Sequence, residues 1–269
     1  MFFARIRPIW VTGLVLIALA RTASAEVVGE RVVYRQGSEE LEGYLAYDDK
    51  VQTPRPGILV IHEWTGIGPY VEGRCRRLAE LGYIAFAPDM YGKGIRPQDP
   101  AEAGEWSGKF KKDRPLTRSR AFAGLEVLQK HPFTDPSRIA VIGYCFGGMV
   151  ALELGRGGAD VKGIVSFHGV LGTPNKEDAR NIKGRVLVLH GGSDPHVSDA
   201  QVKEFEDEMR AARVPWKIVV YGAAVHSFTN PDSGDDPSKG VAYNAEADRE
   251  SWDEMQRFLD AIFAAPASK

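Results

Sequence analysis

Strand-like and helix-like segments alternate through this 269-residue chain from Val32 onward. That alternation predicts an α/β fold, a mainly parallel central sheet with helices on both faces. Short apolar runs rich in β-branched residues recur between turn residues, as strands buried on both sides do. Between them lie longer stretches with helical spacing. No low-complexity linker or internal repeat interrupts the pattern, so residues 26–269 read as one domain.

Val32–Tyr34 and Leu41–Tyr47 read as an opening antiparallel pair, and Gly57–His62 as a buried strand ending in a glycine-containing loop. Tyr70–Leu81 is expected to be helical, Ile84–Pro88 a strand and Leu116–His131 a helix. Ile139–Tyr144 is a strand that passes directly into helix Phe146–Arg156. Gly163–Phe167, Arg185–His190 and Trp216–Tyr221 are further strands, with helices expected at about Asp199–Ala212 and Ala242–Ala264. In such sheets ligands bind beyond the carboxyl ends of the strands, so residues just after strands are the ones to interrogate. The polar stretch Lys93–Pro115, with Trp106 in its middle, is the candidate for an insertion or lid over that edge.

Composition agrees with a globular chain: 43% of residues are hydrophobic, enough for a sizeable core and too many for a disordered polymer. Lys and Arg number 34 against 36 Asp and Glu, giving a net charge of -2. Without a basic excess, neither nucleic acid nor anionic lipid is an expected partner. Residues 1–25 read differently, with Arg5 and Arg7 ahead of an apolar stretch from Ile9 to Ala20, then small residues up to Ala25. This is the pattern of a secretory signal peptide cut after Ala25. The expected product is periplasmic or secreted, with no membrane attachment once the leader is gone. Export would also allow Cys75 and Cys145 to pair, although the surroundings of Cys145 favour a free thiol.

The strongest local signal is Gly143-Tyr144-Cys145-Phe146-Gly147-Gly148, a G-x-C-x-G-G turn between a strand and a helix. A nucleophile on so sharp a turn sits on strained backbone, and side chains two residues before and after it would strike the neighbouring chain. Glycine removes those atoms. The amino end of the helix that follows favours thiolate and oxyanion charge alike. A thiol nucleophile wants a base, and the base an orienting carboxylate. Asp194 follows the strand Arg185–His190, and His226 follows Trp216–Tyr221. Nucleophile, acid and histidine therefore occur in the chain order of α/β-hydrolases, each after a separate strand.

The remaining histidines attract no role. His62-Glu63 begins like a zinc-protease motif but lacks the second histidine. His131, His168, His190 and His196 have no partners at ligand spacing, so no metal site and no cofactor is expected.

With these pieces in place, the chain resembles the dienelactone hydrolase family of α/β-hydrolases across nearly its whole length. The matching segments are Val60-Ile61-His62-Glu63-Trp64-Thr65-Gly66, Ala85-Phe86-Ala87-Pro88-Asp89-Met90-Tyr91, the cysteine turn, Gly191-Gly192-Ser193-Asp194 and His226-Ser227-Phe228. The resemblance implies a Cys145–His226–Asp194 triad, with Glu63 beside the thiol to help take its proton. It also implies an oxyanion hole from the backbone N–H groups of Phe146 and Trp64. Members acting on dienelactone hold its carboxylate with two arginines, and those places fall here on Lys93 and Asn230. Lysine keeps the charge without the bidentate fork, and asparagine loses it. Arg96 is near enough in sequence to substitute, and Tyr91 completes the candidate substrate-binding set.

The expected function is hydrolysis of a small-molecule carboxylic ester or lactone through a thiol-ester intermediate. The alternative is an exported protein that keeps the fold and binds without cleaving, or one whose Cys145 is redox-active.

Overall fold

The computed structural model describes residues 26–264, so the leader expected at 1–25, and the cut after Ala25, lie outside the described residues. Eight strands form one sheet: β1 (Val27–Gln36), β2 (Glu39–Asp48), β3 (Arg55–Ile61), β4 (Ile84–Ala87), β5 (Thr134–Tyr144), β6 (Gly163–Phe167), β7 (Arg185–Gly191) and β8 (Trp216–Tyr221). Their order is β1-β2-β4-β3-β5-β6-β7-β8. β2 runs antiparallel to both β1 and β4, and from β4 to β8 all neighbours are parallel. The helices are α1 (Pro69–Glu80), α2 (Pro100–Lys112), α3 (Arg114–Lys130), α4 (Phe146–Arg156), α5 (Asp199–Ala212) and α6 (Ala245–Phe263).

Because successive strand side chains point to opposite faces, the apolar run of β3 serves two cores at once. Ile58 and Val60 belong to the core shared with Val71 and Leu78 of α1, which extends along the sheet to Trp252, Met255 and Leu259 of α6. Leu59 and Ile61 belong to the core shared with Leu125 and Leu128 of α3 and Met149 and Val150 of α4, which extends to Phe205 and Met209 of α5. Burying each such side chain contributes roughly 1.5–3 kcal/mol, so the central strands are fixed from both sides.

Several boundaries differ from the sequence reading. Inside the Lys93–Pro115 stretch lies a regular helix, α2, capped by Asp99, whose carboxylate accepts from the N–H groups of Ala101 and Glu102. It buries Ala103, Ser107 and Phe110 and sets Trp106 against Tyr91, with ring centroids 5.7 Å apart. α3 starts at Arg114, two residues before the expected Leu116, because Asp113 caps it and Pro115 is tolerated in a first turn. α6 starts at Ala245 because the Asn244 side chain accepts from Ala247 N.

A buried charge cluster closes the end of α4. Arg156, wholly inaccessible, makes a two-pronged ion pair with Glu208 of α5, both contacts at 2.8 Å. It also reaches Glu153 at 3.1 Å and the Leu171 carbonyl at 2.9 Å. Removing one partner of a buried pair strands the other. Arg156→Met is therefore expected to lower the free energy of unfolding by about 3–5 kcal/mol in urea titrations. A loss under about 1 kcal/mol would contradict the cluster's role.

Candidate active site

The site forms where loops leave the carboxyl ends of β3, β5, β6, β7 and β8. Cys145, between β5 and α4, has φ 54° and ψ -114°, a left-handed backbone that L-residues adopt only when the surroundings impose it. Two glycines make it possible. A Cβ on Gly143 would run into the Gly147 carbonyl, and one on Gly147 would run into that of Ile61 in β3.

Around this turn the structure brings together the three residues expected to act as a unit. His226 Nε2 lies 3.0 Å from Cys145 Sγ, and its Nδ1 lies 2.8 Å from Asp194 Oδ2. The other Asp194 oxygen accepts the His196 N–H at 2.8 Å, which fixes the carboxylate. Burial alone would lower the proton affinity of His226, but its hydrogen bonds to Asp194 and Cys145 outweigh that and raise its pKa to about 10.

Glu63 is buried at the end of β3 and shares the pocket with Cys145. Its oxygens are held from the His226 loop: Ser227 Oγ donates to Oε1 at 2.9 Å, and Asn230 Nδ2 to Oε2 at 2.6 Å. Burial pushes its carboxyl above the usual range, against the pull of those donors and of His226. The Phe146 N–H lies in the first turn of α4, where no carbonyl of the helix can receive it. Trp64 N–H has no backbone acceptor among the described residues, and the Trp64 carbonyl accepts from Tyr91 Oη at 2.7 Å.

Three of the four expected substrate-binding residues lie away from the pocket. Lys93 Nζ is drawn outward to Glu40 Oε1, at 2.7 Å. Arg96 lies against Glu42 and Asp89, at 3.9 and 4.0 Å. Tyr91 is buried behind Trp64. Acids brought close by β2 and the β4 turn account for the first two. Asn230 does line the pocket, where its amide is committed to Glu63.

His168, which the sequence gave no role, lies directly beneath the nucleophile. Its Nδ1 accepts the Cys145 N–H at 3.1 Å, an N–H shared with the Phe167 carbonyl. Its Nε2 meets Thr229 Oγ1 at 2.7 Å, and that hydroxyl meets Tyr70 Oη at 2.6 Å. Burial, reinforced by His226, holds His168 well below the usual imidazole range, so the ring is neutral and ties the nucleophile turn to the His226 loop. The only sequence signal was its position just after a strand. His62 is likewise structural, its Nδ1 2.6 Å from the Glu63 carbonyl. Both cysteines are free, and burial pushes the Cys75 thiol well up, which leaves it inert.

The pocket holds about 770 Å³, within the range of small-molecule sites. Trp64, Val71, Phe146, Met149 and Val170 supply much of its wall, and Lys111 of α2 stands at its edge.

This strand order, with a nucleophile turn after β5, an acid after β7 and a histidine after β8, defines an α/β-hydrolase. The sequence profile of the dienelactone hydrolase family matches residues 41–263, and the chain belongs to that family. A crystal structure of a dienelactone hydrolase-like promiscuous phosphotriesterase from metagenomic libraries is 39% identical, with TM-score 0.85, covering 88% of this chain and 99% of that one. A Yersinia pestis protein named "Putative carboxymethylenebutenolidase" is 29% identical over 247 residues, 86% of each chain. A Klebsiella pneumoniae structure titled "Putative Dienelactone Hydrolase", 22% identical with TM-score 0.74, covers 87% of this chain and 98% of that one and shares the fold.

Proposed function

We propose that this hydrolase cleaves a carboxylic ester or lactone through a thioester on Cys145. The observation that carries the reading is the hydrogen-bonded line Asp194–His226–Cys145 opening into a largely apolar pocket. Cys145 Sγ, its proton already taken up by His226 Nε2, whose proton affinity is raised, attacks the carbonyl carbon. Asp194 holds Nδ1–H and stabilises the imidazolium. The N–H groups of Phe146 and Trp64 receive the developing oxyanion, an interaction usually worth 10²–10³-fold per donor. His226 then protonates the departing oxygen, and water, deprotonated by the same ring, releases the acid and restores the thiol.

Glu63 assists thiol activation in this scheme. Cys145 Sγ already bonds His226, so Glu63 takes part once bound substrate releases its carboxylate from Ser227 or Asn230. The family names among the relatives support ester or lactone chemistry. Export belongs to the same proposal, on the pattern of residues 1–25.

The test is hydrolysis of a small activated aryl ester. The protein is expected to turn it over, with Cys145→Ala losing at least about 10³-fold in kcat while retaining a native unfolding transition. Unchanged activity in that variant would sink the mechanism. The pH profile adds a second check. The imidazolium that protonates the leaving group persists through neutral pH and is lost as pH rises through about 10, so the alkaline limb of kcat/KM is expected there. Asp194→Asn removes one of the hydrogen bonds that raise the pKa of His226, so the limb should move to lower pH. A limb that stays in place would contradict the assignment.

A further inference from the structure

We propose that the acyl portion of the substrate is uncharged and apolar, carrying no carboxylate. This rests on the hydrolase reading above and narrows it. An anion taken out of water needs a counter-charge or several donors, since burying it unpaired is very costly. Among the described residues, the pocket lining holds no Arg, and its one Lys, Lys111, stands exposed at the rim, while His226 is bonded to Asp194. Its wall is built from Trp64, Val71, Phe146, Met149, Val170 and Val241, and its one buried carboxyl group is that of Glu63. A substrate carboxylate in the same cavity would meet Glu63 as a like charge.

Apart from Lys111, the described Lys and Arg side chains near the site are engaged elsewhere. Lys93 is in its surface pair with Glu40 and Arg96 lies between Glu42 and Asp89. Arg74 lies under the floor, bonded to the Thr229 carbonyl and to Asp248. Arg114 stands behind the wall, against Met149 Sδ and the Gly172 carbonyl. Asn230 is held at both ends of its amide, Nδ2 donating to Glu63 and Oδ1 accepting from the Asp232 N–H at 3.0 Å. At the mouth, Lys111 is exposed and shares the rim with the acid Asp232.

The experiment compares two esters with one leaving group and one chain length, 4-nitrophenyl hexanoate and the 4-nitrophenyl monoester of adipate, whose chain ends in a carboxylate. The hexanoate is expected to have a kcat/KM at least about tenfold higher, a difference of about 1.4 kcal/mol. Val170→Arg, which puts a cation into the wall, is expected to narrow that ratio severalfold. Equal rates, or preference for the adipate ester, would overturn the inference while leaving the hydrolase reading intact. Loss of such a preference in Lys111→Ala would identify the rim lysine as the anchor this proposal denies. No turnover of either ester by folded protein with a free Cys145 thiol would defeat the hydrolase reading, and this inference with it.

Discussion

The left-handed backbone at Cys145 is the constraint around which the rest is arranged. Such a conformation costs about 1–3 kcal/mol and persists only where neighbouring structure imposes it. Here β5 and α4 impose it, one delivering the chain at the sheet's carboxyl edge and the other leaving at once over β3. Gly143 and Gly147 allow the two segments to touch, and the two-sided core around β3 and β5 supplies the packing that holds the turn. The consequence is a thiol standing clear of the sheet, with the first N–H groups of α4 beside it.

Two histidines then contact Cys145 in different ways, one at its thiol and one at its backbone amide. His226 gains proton affinity from Asp194 and Cys145 despite its burial, while His168, equally enclosed but without an acid, loses it. The first is suited to moving a proton. The second serves as a neutral strut between the Cys145 amide and Thr229. Glu63 is handled in a third way, its carboxylate held by a serine and an asparagine from the loop that carries His226. That loop therefore both carries His226 and holds the buried Glu63 carboxylate.

Much of this was legible in the residues. Strands buried on both faces announce themselves as continuous apolar runs, and the Gly143–Gly148 turn has few other uses than to expose a strained residue. The chain order of Cys145, Asp194 and His226 pointed to their meeting at one edge of the sheet because each follows its own strand. Helix α2 was missed although Asp99-Pro100-Ala101-Glu102 has the form of a helix start, since a stretch so polar shows its periodicity weakly. Of the expected substrate-binding set, Asn230 lines the pocket, and the others lie elsewhere for a different reason. Lys93 and Arg96 were placed by their distance from Tyr91 in sequence, but the acids that capture them, Glu40 and Glu42, come from β2, some fifty residues earlier. Contacts of that kind depend on strand neighbours, which a local reading does not supply. His168 escaped notice because its partners are a backbone amide and a threonine sixty residues on.

The account stands or falls on a covalent bond to one sulfur. Protein mixed with a slowly hydrolysed activated ester, quenched in acid within the first turnover and digested, should yield the Cys145 peptide heavier by the acyl group. The adduct should be sensitive to hydroxylamine and absent from Cys145→Ala. Turnover of the same ester with no acyl mass on Cys145 at any quench time, or with the mass on another residue, would contradict it.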